Sequence, residues 1–146
     1  MPLATRVRRL LCCSLTAVAL AACDDDDGQP VQPLQITGNY TATAFTITTA
    51  GATRDVIADG GSISITLNGA GLTDGQLLIP PAPGQGVVVA NLTGSWSLAG
   101  TTVRFDHAND TFLKQMPFEF TGTALVGDRT LSDRRYQVTL TRAGTP

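Results

Sequence analysis

Ile63, Ile65 and Leu67 alternate with Ser62, Ser64, Thr66 and Asn68. A period of two puts every apolar side chain on one face of an extended chain and scatters them around a helix, so this segment reads as a half-buried β-strand. The same period recurs along the chain. Val88, Ala90, Leu92, Gly94, Trp96 and Leu98 form one face of a longer run, and Val103, Phe105 and His107 continue it after a turn at Ala99-Gly100. Phe118, Phe120, Gly122 and Ala124 make another face, and Tyr136, Val138 and Leu140 make the last. A further strand is expected near 73–79, after the turn Asn68-Gly69-Ala70-Gly71. The first strand, expected over 36–48, holds Ile36, Tyr40, Ala42 and Ala44 in phase and then switches to Phe45 and Ile47, which signals a bulge. No long stretch keeps helical spacing.

The connections fit the same picture. Pro80-Pro81-Ala82-Pro83-Gly84 has three residues without an amide hydrogen, so it cannot pair in a sheet and must be a loop. Gly127-Asp128-Arg129 reads as a turn, and 109–115 as a single helical turn ahead of Pro117. Residues 55–58 read equally as a short helix or an irregular strand. Thr37-Gly38, Thr93-Gly94 and Thr121-Gly122 form a weak repeat, each followed by an expected strand, as a regular antiparallel meander would have.

Of the 146 residues, the first 22 belong to something other than the domain. Arg6, Arg8 and Arg9 precede an unbroken apolar and small stretch over 10–22, the charged-then-apolar order of an export signal. A helix crossing a bilayer needs roughly 20 apolar residues, so this run is a signal rather than a permanent span. It ends in Leu20-Ala21-Ala22-Cys23, which resembles the lipobox of bacterial lipoprotein precursors at all four positions. The resemblance implies acyl chains, palmitate among them, on the Cys23 sulfur and cleavage just before it. The chain would then be held extracytoplasmically on a bacterial membrane. Asp24 resembles an inner-membrane retention signal, which tips the balance slightly to the periplasmic face of that membrane.

Cys12 and Cys13 lie within the signal, so a processed chain has no thiol left for a disulfide, a metal or a nucleophile. The charge also divides. Asp24, Asp25, Asp26 and Asp27 sit in a segment over 23–35 that is rich in acids, Gly and Pro, expected to be a disordered tether. An EF-hand loop there would need an acid at Cys23 and a glutamate at Leu34, so calcium binding is not expected. From residue 36 onward there are 7 basic and 8 acidic residues, too balanced for a nucleic-acid surface.

Residues 36–146 are thus expected to be an all-β domain, either an antiparallel up-and-down barrel of about eight strands or a β-sandwich. Closure removes exposed edge strands, which favours the barrel. Gly38-Asn39-Tyr40 resembles the Gly-x-Trp opening of lipocalin-like proteins, with Tyr for Trp, and Arg142 stands where that family's closing arginine does. The resemblance extends through Leu92-Thr93-Gly94-Ser95-Trp96-Ser97-Leu98 to Phe105 and implies that Arg142 packs across Tyr40 to seal one end of the barrel.

Chemistry is sparse. His107 is the sole histidine, with no second histidine, retained cysteine or Gly-x-Ser-x-Gly to make a triad or metal site, so neither catalysis nor a cofactor is expected. Trp96, Phe105, Phe118, Phe120 and Tyr136 either line a cavity or form plain core. Small residues among them, Ala42, Ala44, Gly94, Gly122 and Ala124, leave room for a ligand. Arg134, on the face of Tyr136, either meets an anion at a barrel mouth or covers apolar surface with its stem. Two functions follow: a tethered module binding a small apolar or amphipathic molecule, or an envelope interaction protein with a filled barrel and working loops, notably 80–86. The three Asn-x-Thr sequons carry no weight in a chain with a lipobox.

Overall fold

The computed structural model describes residues 31–144, so the signal, Cys23 and the acidic run lie outside the described residues. Ten strands and two helical turns follow one another. The first half holds α1 (Pro33–Ile36), β1 (Gly38–Thr49), β2 (Ala52–Asp55), β3 (Ser62–Leu67), β4 (Leu72–Ile79) and β5 (Val88–Asn91). The second holds β6 (Gly94–Ala99), β7 (Thr102–His107), α2 (Phe112–Gln115), β8 (Phe118–Phe120), β9 (Ala124–Leu131) and β10 (Arg134–Arg142). Eight of the strands pair in chain order, β1-β3-β4-β6-β7-β8-β9-β10, and β10 returns to β1 in antiparallel register from Tyr40↔Arg142 to Thr49↔Arg134. The sheet is a closed up-and-down barrel, lipocalin-like in architecture, and not a sandwich. β2 and β5 lie outside this circuit, one along the far half of β1 and the other along the far half of β4.

Alternation places the core. Ile63, Ile65 and Leu67 are buried and their neighbours exposed along β3, and Val103, Phe105 and His107 do the same on β7. The expected bulge in β1 falls between Ala42 and Ala44, where the register slips by one. Ala44 is consequently exposed, and Phe45 takes the buried place. The long run through Leu98 keeps its phase but is cut at Leu92 and Thr93 into β5 and β6, and Val88 at its start is 44 % exposed.

Four expectations need correction. Ile36 belongs to α1 rather than to β1. The tether assigned to 23–35 ends in a helical turn: Gln35 Oε1 accepts from the Gln32 amide at 3.0 Å and Val31 packs on the core. The face Phe118, Phe120, Gly122, Ala124 is broken because Gly122 turns at φ 93° and β9 begins in the opposite phase, with Leu125 inward. Gly127-Asp128-Arg129 is not a turn but the middle of β9, and the reversal lies at Ser132 and Asp133.

Gly127 is glycine for a reason of packing. A Cβ there would stand 2.9 Å from the Met116 sulfur and 2.9 Å from a Phe118 ring carbon, closer than such atoms approach. A glycine inside a strand often marks such a close approach. The open alternative at 55–58 resolves into the end of β2 and a turn in which Asp55 Oδ1 accepts from the Ile57 and Ala58 amides at 3.0 and 3.1 Å.

The two barrel ends differ. At the first, Ile36 is fully buried under α1, and Tyr40 donates its hydroxyl to the Ile36 carbonyl at 2.6 Å. The Arg142 guanidinium carbon lies 6.0 Å from the Tyr40 ring centroid, a distance at which cation and π face attract. Its Nη2 donates to the Thr37 carbonyl. Burial raises the Tyr40 phenol above its ordinary pKa against the opposing pull of Arg142, so the hydroxyl stays a donor. Trp96 Nε1 donates to the Asn68 carbonyl at 3.0 Å near this end. At the other end β7 and β8 pair only through Thr102↔Glu119 and Val103↔Phe118, so β7 above Val103 lacks a β8 partner. The α2 segment occupies that stretch, with Leu113 and Met116 buried.

Candidate functional site at the open end of the barrel

The open end holds a pocket of about 400 Å³. That lies toward the small side of the roughly 300–1,000 Å³ usual for small-molecule sites. Its apolar walls come from three strands and a helical turn: Ile47 of β1, Leu77 and Ile79 of β4, Val88 of β5, and Phe112 of α2. Tyr136 and Arg134 of β10, Gln85 and Gly86 of the proline loop, and Asp110 and Thr111 supply the rest.

The base is an aromatic column. Phe112 and Tyr136 stack nearly parallel, 4.5 Å between centroids and 9° between planes, and Phe112 also stacks on Phe45 at 5.3 Å. Alternation on β10 sends Tyr136 inward beside Arg134. The loop over the mouth is pinned by two arginines. Arg54 donates to the Pro80 carbonyl at 3.0 Å and the Pro81 carbonyl at 3.2 Å while pairing with Asp59 at 2.6 Å. Arg134 Nη1 donates to Gln85 Oε1 at 3.3 Å, and its Nε is 4.0 Å from Asp133. One hydrogen bond on a guanidinium with five N–H groups leaves donors available at the rim.

Behind the Thr111 wall lies His107, 2 % exposed. Its Nε2 is 2.7 Å from Thr111 Oγ1, while Nδ1 is buried with no hydrogen-bond partner. Burial chiefly, and the nearby Lys114 charge next, hold its pKa below the ordinary 6.5, with Asp106 and Asp110 pulling the other way. Among the described residues no group of three or more His, Cys, Asp or Glu side chains is placed to hold a metal ion.

Only Tyr136 and Arg134 of the expected lining residues reach this pocket. Phe105 and Phe118 pack on each other inside the barrel at 5.2 Å, and Trp96 is fixed to the Asn68 turn. Phe120 lies at the sealed end, beside Val31, Gly122 and Arg142. Three of the five small residues do not widen the interior: Ala44 and Gly122 are exposed, and a Cβ on Gly94 would meet the Asp106 carbonyl at 2.2 Å. The core side chains pack on one another inside the barrel, and the mouth pocket lies beyond them. Ile47, Ile79, Gln85 and Phe112 went unforeseen as lining. Phe112 had a usable signal, an aromatic in a helical turn stopped by Pro117, but nothing local tells that this turn folds over a barrel end.

Comparison with protein-family models, with curated proteins and with solved structures finds no match to this chain.

Proposed function

We propose that this protein is a membrane-anchored lipoprotein of the bacterial envelope, a binding module rather than an enzyme, whose lipocalin-like barrel holds a small apolar or amphipathic molecule. The observation that carries the reading is the pocket of about 400 Å³ floored by the Phe112–Tyr136 stack and rimmed by Arg134 and Gln85. Aliphatic walls suit an apolar body, and rim donors suit a polar end.

The fold also supports an orientation for the proposed anchor. α1 enters at the sealed end, and β1 rises from there for 12 residues, roughly 35–40 Å at strand pitch. A lipid on Cys23 sits eight residues before Val31, a reach of at most about 28 Å. The described chain begins at the sealed end, which supports attachment on that side, with the mouth facing away from the bilayer toward the surrounding aqueous space.

Thermal unfolding of the mature protein with octanoate, octanol or the uncharged fluorophore N-phenyl-1-naphthylamine tests the site. At about 100 times Kd, binding stabilises by about 2.7 kcal/mol, a rise in Tm that Ile79→Trp, filling the pocket, is expected to remove. No shift with any of the three, and no apolar molecule retained in native mass spectrometry, would reject the reading. A second reading rests on Val87, Val88 and Val89, 58, 44 and 69 % exposed beside the proline loop, a patch suited to a protein partner in the envelope. Crosslinking in intact cells that captures no partner at these valines counts against it.

A further inference from the structure

We propose that His107 is a proton-sensitive latch on one wall of the mouth pocket: neutral, it holds Thr111 and keeps the wall in place; protonated, it releases the 110–112 segment and the pocket loses its ligand. The proposal rests on the pocket being the binding site, since it concerns regulation of that site.

The geometry begins with an imbalance. A buried polar atom without a partner is uncommon and calls for an explanation, and His107 Nδ1 is such an atom. The other ring nitrogen makes a 2.7 Å contact with Thr111 Oγ1, four residues on. As a neutral imidazole the ring donates through one nitrogen and leaves only an acceptor lone pair unmet. On protonation both nitrogens become donors. Nδ1–H then has no acceptor, and a full charge sits in a site 2 % exposed. Movement of the adjoining loop is the available relief, because β7 is held on its other side by pairing of His107 with Gly94 of β6.

That loop is the pocket wall. Asp110, Thr111 and Phe112 all line the cavity, and Phe112 supplies half of its aromatic floor. Displacing Thr111 therefore disturbs three lining residues at once.

The charged groups around the ring are few. Lys114 on α2 opposes protonation, while Asp106 on β7 and Asp110 in the loop favour it. Lys114 and Asp106 form an exposed ion pair at 2.9 Å that holds the aspartate below and the lysine above its ordinary pKa, so both stay charged while the histidine titrates. β6, on the paired side, carries no titratable side chain. The sign follows: the closed state resists the proton, so closure is favoured above the ordinary histidine pKa of 6.5 and is progressively lost as pH falls through the depressed value. By linkage, a ligand that needs the closed wall lowers the affinity of His107 for the proton.

As the chain's single histidine, His107 gives one imidazole signal in an untagged protein, so its titration can be followed by NMR without assignment. N-phenyl-1-naphthylamine serves as the binding probe because it is uncharged throughout. Between about pH 7.5 and 5.5, where histidine titrates, its Kd is expected to weaken at least about 5-fold, the lower end of ordinary site coupling. His107→Gln retains a side-chain N–H for Thr111 and cannot titrate. Its Kd is expected to stay flat, and amide exchange over 111–114 to quicken with acid in the parent alone. Parallel pH dependence in parent and variant, or an imidazole titrating at 6.5 with no change in exchange, overturns the latch. If the probe binds at no pH, the pocket reading fails by itself. Exchange then decides the latch: acid-quickened exchange over 111–114 that His107→Gln lacks supports it, and its absence rejects it. Should His107→Gln fold poorly, Thr111→Val breaks the same contact from the other side and is expected to raise the imidazole pKa.

Discussion

Cys23→Ser is expected to leave this protein without acyl chains and with the signal over 1–22 uncleaved, held at the membrane only by the apolar run over 10–22. The argument is chemical. In the lipobox reading the acyl group is carried on the Cys23 sulfur, and the processing peptidase acts on the lipidated form; an oxygen in place of sulfur blocks the first step and therefore the second. Each buried methylene contributes about 0.8 kcal/mol to membrane affinity, and a single chain holds only marginally, so stable anchoring needs more than one chain. The described domain supplies no substitute. The domain from residue 36 onward is close to charge-neutral, with 7 basic and 8 acidic residues, and among the described residues no helix is long and apolar enough to span a bilayer. Fractionation of cells expressing either form, with the intact mass of each, reads the result. A serine variant that is still cleaved before residue 23 sinks both the anchor and the orientation of the mouth.

What the sequence revealed, and what it hid, divides along the range of the interactions involved. Period-two alternation is local, and it placed β3, β7 and β10 and signalled a bulge in β1 because each buried face is written within a few neighbouring residues. The pairing of Tyr40 with Arg142 came from the resemblance to lipocalin-like proteins rather than from any local pattern, and the two lie opposite each other in register. The failures were non-local. Gly127 looked like a turn because glycine followed by aspartate usually is one, yet its missing Cβ answers to Met116, eleven residues earlier on another element. The inward aromatics were rightly taken as inward, but alternation says nothing of depth along the barrel. Phe105 and Phe118 fill the middle and Tyr136 reaches the mouth, a difference set by strand stagger. The pocket itself combines β1, β4, β5, β10, a loop and α2, which only closure brings together.

Phe112→Ala is the substitution in the barrel expected to cost most, in stability and binding together. The ring is 9 % exposed and is sandwiched between Tyr136 at 4.5 Å and Phe45 at 5.3 Å. Truncating a buried phenylalanine usually costs about 3–5 kcal/mol, the transfer and cavity terms together, and lost aromatic pairs add about 0.5–1.5 kcal/mol each. Collapse cannot recover much here, because the α2 segment is held by Leu113 and Met116, both buried, and by the His107–Thr111 contact. A low-end cost of about 3 kcal/mol corresponds to a Tm lower by roughly 10 °C for a domain of this size. Binding of N-phenyl-1-naphthylamine is expected to fall with it, measured where the variant is still folded, since the floor of the pocket is half removed. The control is Phe120→Ala at the sealed end, 7 % exposed and away from the mouth: it is expected to cost a similar amount of stability, about 3–5 kcal/mol, and so to lower Tm alike while leaving the probe's Kd unchanged. If the two variants weaken binding alike, affinity tracks global stability rather than the mouth, and the pocket loses its standing as the binding site. If only Phe112→Ala does so, the ligand rests on the aromatic floor that α2 lays across the barrel.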